Sequence, residues 1–255
     1  MKAIILAAGL GSRLDHLTRN SPKCLLEVAG NSILQHQIDA LRESGADDIA
    51  IVKGYLADRI NLPGCRYYIN EDYESTNMLS SLMCASEEMT TEFIATYSDI
   101  LFEPRVVSEL MSCTDDIAVV IDTDWRARYA GRDQHPVSEA EKVICDGDFN
   151  LQQIGKELTS QASVTGEFIG MMKCSTSGAE MIKCYYEKAR AAFGQGPFIN
   201  AKFFANAYLT DLLQFLLQEG ISIRGVPVQR GWVEIDTAED LEFARRTWLA
   251  KGSCA

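Results

Sequence analysis

The chain begins with a short apolar run that ends in two glycines, Ala3-Ile4-Ile5-Leu6-Ala7-Ala8-Gly9-Leu10-Gly11-Ser12-Arg13, and Ser21-Pro22-Lys23 follows after a polar loop. An apolar run bounded by glycine is typical of a buried strand that leads into a turn. Glycines let backbone N–H groups approach a ligand closely, and successive N–H groups in such a turn form a concavity for anions. Arg13 and Lys23 add two positive charges beside it. The stretch therefore predicts a strand and a turn that suit a triphosphate.

Two familiar glycine-rich loops do not fit this stretch. The dinucleotide-binding fingerprint needs a third glycine where Leu14 stands, and the Walker loop needs a Gly-Lys-Ser/Thr that does not occur here. The pattern Leu6-Ala7-Ala8-Gly9-x-Gly11-Ser12-Arg13 with Pro22-Lys23 instead resembles the signature of nucleotidyltransferases that act on sugar phosphates and phosphocholine. An ordinary strand and turn would explain the two glycines, but not the added Ser12-Arg13 and Pro22-Lys23.

The composition limits the classes of protein that the chain can represent. Its 255 residues and 47% hydrophobic content suit one large α/β domain or two small ones. A net charge of −12 argues against nucleic acid or an anionic membrane as a partner, since both attract basic surfaces. The eight cysteines are scattered without a Cys-x-x-Cys pair, which indicates free thiols in a reducing compartment. Because no stretch approaches the roughly 20 apolar residues of a membrane span, we expect a cytoplasmic protein.

Strands alternate with helices along most of the chain. Strand-like runs at 48–52, 65–69, 93–97 and 117–121 are separated by amphipathic segments. This alternation predicts an α/β fold, a single doubly wound domain over 1–255 with a mostly parallel mixed sheet. In such sheets ligands bind beyond the carboxyl ends of the strands.

Further boundaries follow from capping residues and from changes of period. Ser75 or Thr76 is expected to cap a second helix, and a later helix is predicted over 201–218. The segment 124–163 is polar and aromatic, with a hairpin pattern around Asp146-Gly147. It lacks enough apolar residues for a core of its own. We therefore expect a small inserted hairpin or lid that covers the substrate.

Acidic residues follow two of the predicted strands. Asp99 follows the strand over 93–97, and Glu234 and Asp236 share one face at the end of a last strand over 232–236. Acids from two strand ends that meet at one rim suit Mg²⁺. An aspartate in such a place is also often a cap or a loop former, and Asp236 before Thr237 fits that role. We predict that Asp99, Asp236 and Glu234 bind the metal.

The resemblance covers nearly the whole chain, and further motifs indicate one branch of these nucleotidyltransferases. Asn70-Glu71-x-Tyr73-x-x-Thr76-Asn77-Met78 and Tyr129-x-Gly131-Arg132-x-x-His135-Pro136 are similar to runs in phosphocholine and 2-aminoethylphosphonate cytidylyltransferases. Gly155-Lys156 and Gly166-Glu167-Phe168-Ile169-Gly170 continue it. The resemblance implies Mg²⁺-dependent transfer of CMP from CTP to a small phosphonate or phosphoester, with release of pyrophosphate.

The resemblance also implies roles for individual residues. Arg13 would hold the β,γ-phosphates, and Lys23 would neutralise charge at the α-phosphate. The residues expected to contact the nucleotide are Leu6, Ala8, Gly9, Gly11, Ser12, Tyr55, Thr76, Asn77 and Ser98. The residues expected to contact the acceptor are Trp125, Tyr129, Arg132, Asp133, Glu139, Lys142 and Lys156.

The acceptor is the least defined part of this prediction. Aromatic faces at Trp125 and Tyr129 would suit a quaternary ammonium, whereas Asp133 or Glu139 would pair with a primary ammonium. Arginines of the insertion, with His135, would instead bind an anionic acceptor. We favour 2-aminoethylphosphonate over phosphocholine as the acceptor.

Other functions remain open from the sequence. A hexose-1-phosphate nucleotidyltransferase is the nearest alternative. The pattern Asp122-Thr123-Asp124 resembles the metal-binding motif of glycosyltransferases, and a non-catalytic nucleotide-sensing module is a further alternative. The oligomeric state is also open, with a homodimer as one option.

Overall fold

The computed structural model describes residues 1–158, 164–194 and 196–249, which form thirteen strands and seven α-helices. The strands are β1 Lys2–Ala7, β2 Glu27–Val28, β3 Asn31–Ser32, β4 Asp48–Lys53, β5 Cys65–Ile69, β6 Phe93–Tyr97, β7 Ile100–Phe102, β8 Ile117–Asp122, β9 Lys142–Cys145, β10 Leu151–Gly155, β11 Gly166–Cys174, β12 Arg224–Val228 and β13 Trp232–Glu234. The helices are α1 Ile33–Glu43, α2 Met78–Cys84, α3 Pro104–Ser112, α4 Trp125–Tyr129, α5 Thr176–Phe193, α6 Leu209–Gln218 and α7 Ala238–Leu249.

Nine strands form the central sheet. Seven of them run in the order β5-β4-β1-β6-β11-β8-β12, and every neighbouring pair is parallel except the two that involve β11. The short strands β7 and β13 pair with each other beside this sheet. The predicted α/β class with a mostly parallel mixed sheet is confirmed.

Alternate residues of the central strands serve two separate cores. In β1, Ile4 and Leu6 face a core with α2, α5 and α6, whereas Ala3 and Ile5 face another core with α1 and α3. Successive strand side chains point to opposite faces, so a continuous apolar run is what a strand buried on both faces requires. The helices therefore cover both faces of the sheet, as the alternation predicts.

Two helix starts differ from the prediction. Asn77, not Thr76 or Ser75, caps α2, and its Oδ1 accepts a hydrogen bond from the Met78 amide at 2.9 Å. The Thr76 hydroxyl instead donates to the Asp72 carbonyl at 2.8 Å. The helix predicted over 201–218 begins only at Leu209, because the chain before it forms a bridge and a 3₁₀ turn.

The predicted hairpin is present and is part of the central sheet. Strands β9 and β10 pair antiparallel, and β9 also pairs with the start of β11, which joins the hairpin to the central sheet. Helix α4 of the insertion packs in a small cluster of Trp125, Ala140 and Val164, of which Val164 lies just beyond the predicted segment. Residues 159–163 of the predicted insertion lie outside the described residues.

No helix in the described part of the chain is long and apolar enough to cross a membrane. The cysteines that the structure describes are free thiols. Burial raises the pKa of the Cys24 thiol to about 12, which keeps this sulfur neutral and unreactive as part of the core.

Gly178, in the first turn of α5, gives a test of this packing. A Cβ added there would lie 1.9 Å from the backbone oxygen of Asp116, whereas one added at Gly147 would meet nothing within 4 Å. We expect Gly178→Ala to lower the free energy of unfolding by about 1–3 kcal/mol because the backbone must shift. The control Gly147→Ala should change it by less than about 0.5 kcal/mol in urea denaturation. Equal losses in the two variants would contradict the proposed close approach.

Candidate active site

The site lies at the carboxyl ends of two neighbouring parallel strands. Because β1 and β6 pair side by side, the glycine turn after β1 and Ser98-Asp99 after β6 lie at one rim. The pairing of β13 with β7 brings in Asp236, and the Ile235 amide donates to the Asp99 carbonyl at 2.8 Å. These segments enclose a cleft of about 300 Å³. Its size is that of an ordinary small-molecule site.

Four charged side chains meet in this cleft. The Lys23 Nζ lies 3.0 Å from Asp99 Oδ2 and also donates a short hydrogen bond to Asp236 Oδ1. The guanidinium of Arg13 lies 2.7 Å from the other oxygen, Asp236 Oδ2. The side chains of Lys23 and Asp236 are 12% and 8% exposed, whereas that of Arg13 is 47% exposed. Lys23 is therefore largely buried among its partners, whereas Arg13 lies at the exposed side of the group.

The opposite charges of Lys23, Arg13 and the two aspartates stabilise one another. Burial alone would lower the pKa of Lys23, but the carboxylates of Asp99 and Asp236 outweigh it and raise that pKa. Burial alone would raise the pKa of Asp236, but Lys23 and Arg13 hold it below its usual value. Lys23 and Asp236 are therefore both charged near neutral pH.

The glycine turn packs directly against Lys23. Gly11 has a φ of +62°, and a Cβ at this position would lie 3.1 Å from the Lys23 Cβ. Its carbonyl accepts hydrogen bonds from the Leu14 amide and the Thr18 hydroxyl, each at 3.0 Å. The sequence predicts a glycine at position 11 because a ligand must approach the backbone closely. The structure adds a second reason for a glycine there, which is the close approach of the Lys23 side chain.

A buried polar cluster lies behind Asp236. His135 is 1% exposed, and its Nε2 lies 3.5 Å from Glu234 Oε2. Its Nδ1 lies 3.7 Å from Asp236 Oδ2 and from Asp240 Oδ2, without a direct hydrogen bond. One ligand atom from each of His135, Glu234 and Asp236 falls within 4.8 Å of the others. Burial and Asp236 raise the pKa of Glu234, so a cation would be stabilised there.

The structure brings many of the predicted residues together. Those that line the cleft are Gly9, Gly11, Ser12, Arg13, Lys23, Asn77, Ser98, Asp99, Glu139, Lys156 and Asp236. Glu234 lines a smaller adjoining cavity of about 90 Å³. Those that line neither cavity are Leu6, Ala8, Tyr55, Thr76, Trp125, Tyr129, Arg132, Asp133 and Lys142.

Several of the residues that line neither cavity contact other parts of the protein. Trp125 is 1% exposed inside the small core of the insertion, which corrects the expectation of an aromatic face for the acceptor. The Lys142 Nζ donates to the Lys156 carbonyl at 2.7 Å. The Tyr55 hydroxyl donates to the Arg19 carbonyl at 3.0 Å.

The remaining residues predicted to contact the acceptor either bind other side chains near the site or are exposed to solvent. Arg132 donates through Nε to Asp240 Oδ1 at 2.9 Å, and Asp240 in turn accepts from the Asp236 and Thr237 amides. Tyr129 donates a short hydrogen bond to Glu167 Oε1. Asp133 is exposed.

Several lining residues have no role in the prediction from sequence. They are Leu10, Met78, Tyr97, Glu141, Glu167 and Tyr208. The sequence could have indicated a functional role for Glu167, because it is an acid inside the apolar run of β11. It could not have done so for Tyr97 and Tyr208, since an aromatic residue at a strand end or beside a helix usually serves packing.

The structure argues against the glycosyltransferase alternative, which depends on the motif Asp122-Thr123-Asp124. Asp122 is fully buried; one oxygen accepts from the Trp232 indole at 2.9 Å and the other from the Asp124 amide at 2.8 Å. Both oxygens therefore serve the local fold. A metal-binding Asp-x-Asp needs an open carboxylate at this position.

The family follows from comparison with known domains. The MobA-like NTP transferase domain matches residues 3–221. The chain belongs to this family. It is a nucleotidyltransferase, as the glycine turn and the two following cations indicate.

Curated relatives of this NTP transferase include cytidylyltransferases. A CTP:phosphoglutamine cytidylyltransferase from Campylobacter jejuni is 31% identical over 95% of this chain and 98% of its own length. A choline-phosphate cytidylyltransferase from Streptococcus pneumoniae is 29% identical over 67% of this chain and 80% of its own length. A 2-aminoethylphosphonate cytidylyltransferase from Lancefieldella rimae is 33% identical over 40% of this chain and 47% of its own length.

Solved structures share the fold. The CTP:phosphocholine cytidylyltransferase of Streptococcus pneumoniae superposes with a TM-score of 0.69 at 22% identity, over 97% of this chain and 98% of that one. The inositol-1-phosphate CTP transferase of T. maritima superposes with a TM-score of 0.73 at 18% identity, over 100% of this chain and 97% of that one.

The internal position of Lys23 can be tested through stability. Lys23→Met should lower the free energy of unfolding by about 3 kcal/mol in EDTA at neutral pH, because two buried carboxylates lose their cation. Since Lys23 depresses the folded-state pKa of Asp236, its stabilisation is present above the unfolded pKa and is lost as the pH falls. The deficit of the variant should therefore shrink in acid.

An exposed ion pair gives the matched control for this experiment. Lys188 pairs with Glu219 where the two side chains are 53% and 30% exposed, and Lys188→Met should cost less than about 1 kcal/mol. A similar cost for both lysines in chemical denaturation would contradict an internal role for Lys23.

Proposed function

We propose that this NTP transferase is a CTP-dependent cytidylyltransferase that joins CMP to a small phosphonate or phosphoester and releases pyrophosphate. The observation that carries the proposal is Lys23, held between Asp99 and Asp236 at the edge of a glycine turn. Such a cation serves a phosphorus centre that gains negative charge during reaction. The choice of cytosine and of this acceptor class rests on the relatives named above.

The proposed reaction is an in-line displacement at the α-phosphorus. An acceptor oxygen forms the new P–O bond, the bond to the β-phosphate breaks, and pyrophosphate leaves with the electron pair. That acceptor oxygen is already anionic at neutral pH, so no general base is needed. The protein contributes position and charge neutralisation: Arg13 and the amides of the glycine turn hold the β,γ-phosphates, and Lys23 faces the α-phosphate.

The acidic residues of the site fit a magnesium ion. Asp99 Oδ1 is buried without a hydrogen-bond partner, although Oδ2 of the same carboxylate binds Lys23. Carboxylates are the ligands that Mg²⁺ takes when it also binds phosphate oxygens. Asp99 and Asp236, with Glu234 beside them, would hold the ion, which when bound offsets the negative charge of the phosphates.

The acceptor would lie between the cleft and the adjoining cavity. Lys156 lines both, with its Nζ 3.2 Å from Glu139 Oε2 and 4.7 Å from the centre of the Tyr208 ring. An ammonium at this boundary suits the anionic end of the acceptor. Lys142 supports it indirectly through the hydrogen bond to the Lys156 backbone.

Pyrophosphate release provides the decisive assay for this function. A matrix of four nucleotides against 2-aminoethylphosphonate, phosphocholine, phosphoglutamine and glucose 1-phosphate should give release with CTP only when an acceptor is present. Lys23→Ala should reduce kcat by at least about 100-fold, as expected for an electrostatic group of the transition state. The exposed Lys202→Ala is the matched control and should leave kcat unchanged.

Three other outcomes of this assay would each contradict the proposal. Faster turnover of glucose 1-phosphate with dTTP or UTP would identify a hexose-1-phosphate nucleotidyltransferase. Nucleotide binding without turnover by any acceptor would identify a sensing module. Full activity of Lys23→Ala would remove the lysine from the reaction.

The metal site can be tested by titration. EDTA should abolish activity and Mg²⁺ should restore it, and Asp99→Asn should raise the Mg²⁺ concentration for half-maximal rate by about tenfold, because a neutral amide binds the ion more weakly. Asp39→Asn on the exposed side of α1 is the matched control. An unchanged Mg²⁺ requirement in Asp99→Asn would remove this residue from the metal site.

A further inference from the structure

The small cavity beside the cleft is strongly acidic. Six carboxylates line it, against two permanently cationic side chains, Arg13 and Lys156. Three of the six, Asp99, Glu234 and Asp236, belong to the proposed metal site, and Glu139 pairs with Lys156. Two carboxylates, Glu141 and Glu167, remain without a place in the proposed reaction.

Glu167 carries an unused hydrogen-bond acceptor. The residue is 4% exposed, and its Oε1 accepts the short hydrogen bond from Tyr129. Its Oε2 is buried and has no hydrogen-bond partner. Burial, with a smaller contribution from Glu234, raises the pKa of Glu167 to about 8, although nearby arginines offset part of that rise. Burial therefore disfavours the ionised form of Glu167, and an added cation would stabilise that form.

Arg128, which has the larger effect of these arginines on the pKa of Glu167, is directed elsewhere. Arg128 places its guanidinium 3.5 Å from the centre of the Trp232 ring and donates to the Trp232 carbonyl at 3.3 Å. It therefore does not supply the missing hydrogen bond to Glu167 Oε2.

A second unused acceptor lies in the same cavity. The Tyr97 hydroxyl is buried beside Glu141 without a hydrogen bond of ordinary geometry. Glu141 is 9% exposed, and its Oε1 accepts from the Thr210 hydroxyl at 3.1 Å. Gly170, with a φ of +82° at a bulge in β11, admits the Tyr97 ring, since a Cβ there would lie 2.4 Å from it. Tyr97 is thus held in place by the fold.

We propose that this cavity binds a primary ammonium group of the acceptor, with Glu167 and Tyr97 accepting its N–H bonds and Glu141 adding negative charge. The inference rests on the proposed function and specifies its acceptor class. Buried acceptors need hydrogen-bond donors, and buried carboxylates need a cation. A primary ammonium supplies both, whereas a trimethylammonium donates no hydrogen bond and a sugar hydroxyl brings no charge.

This assignment differs from the expectation drawn from sequence. The primary ammonium is assigned to Glu141 and Glu167 instead of Asp133 or Glu139. Asp133 is exposed, and Glu139 already pairs with Lys156. Arg13 and Lys156 line the same cavity, so the anionic and cationic ends of a short acceptor both find partners.

A matched acceptor series tests the assignment. The probes are 2-aminoethylphosphonate, its trimethylammonium derivative and propylphosphonate, in which a methyl group replaces the ammonium. With CTP fixed, kcat/KM from pyrophosphate release should be at least about tenfold higher for the primary amine than for either analogue, as a charge-assisted hydrogen bond warrants.

Two variants locate the effect in the cavity. Glu167→Gln should raise KM for 2-aminoethylphosphonate by about tenfold or more and should reduce its advantage over propylphosphonate, with KM for CTP unchanged. Tyr97→Phe removes only the hydroxyl beside Glu141 and keeps the ring, so it should fold like the wild type and raise the same KM by a smaller factor. Glu187→Gln, on the exposed part of α5, is the matched control and should change neither constant.

The outcomes separate this inference from the proposed function. No pyrophosphate release with any acceptor would overturn both. Release that is as fast with propylphosphonate or the trimethylammonium derivative would overturn the ammonium site and leave cytidylyl transfer intact. An unchanged acceptor KM in both Glu167→Gln and Tyr97→Phe would also overturn it.

Discussion

The ion group of Lys23, Asp99 and Asp236 is the constraint on which the rest of the site depends. Its members come from the loop after β1, the end of β6 and the segment after β13, so segments far apart in the chain meet at one lysine. A buried charge without a partner is costly in free energy. The loss of any one of the three side chains would therefore destabilise the other two. The group fixes the position of the glycine turn relative to the carboxyl ends of the sheet.

The distribution of charge explains how an acidic chain accommodates anionic ligands. The cations that line the cleft are Arg13, Lys23 and Lys156, and they share its lining with three carboxylates. The adjoining cavity is more acidic, because Glu141, Glu167 and four other carboxylates line it against Arg13 and Lys156. In the proposed reaction, these two neighbouring sites would orient an acceptor that has one anionic and one cationic end. The net charge of −12 describes the chain as a whole and not its site.

The main parts of the fold and the members of the central ion group could be predicted from sequence, because both depend on local patterns, whereas the direct pairing of Lys23 with the two carboxylates could not. Lys23 follows a specific motif, and Asp99 and Asp236 follow apolar strands. The environments of Trp125 and Lys142 could not be predicted in this way. Burial of the tryptophan depends on Val164, which is distant in sequence, and the lysine finds a backbone carbonyl on a neighbouring strand connection. Hydrogen-bond partners of this kind are decided by tertiary packing, which no spacing along the chain encodes.

Strand β11 joins two properties that many proteins keep on separate elements. All nine of its residues are buried, and it pairs with β6, β8 and β9. Its first half also supplies Glu167 and the bulge at Gly170 to the small cavity beside the cleft. Substitutions that alter acceptor choice through this strand therefore act on a core element, so a change of substrate during evolution carries a cost in stability. New specificities are easier to reach through residues such as Glu139, which belongs to the insertion and is not part of the sheet.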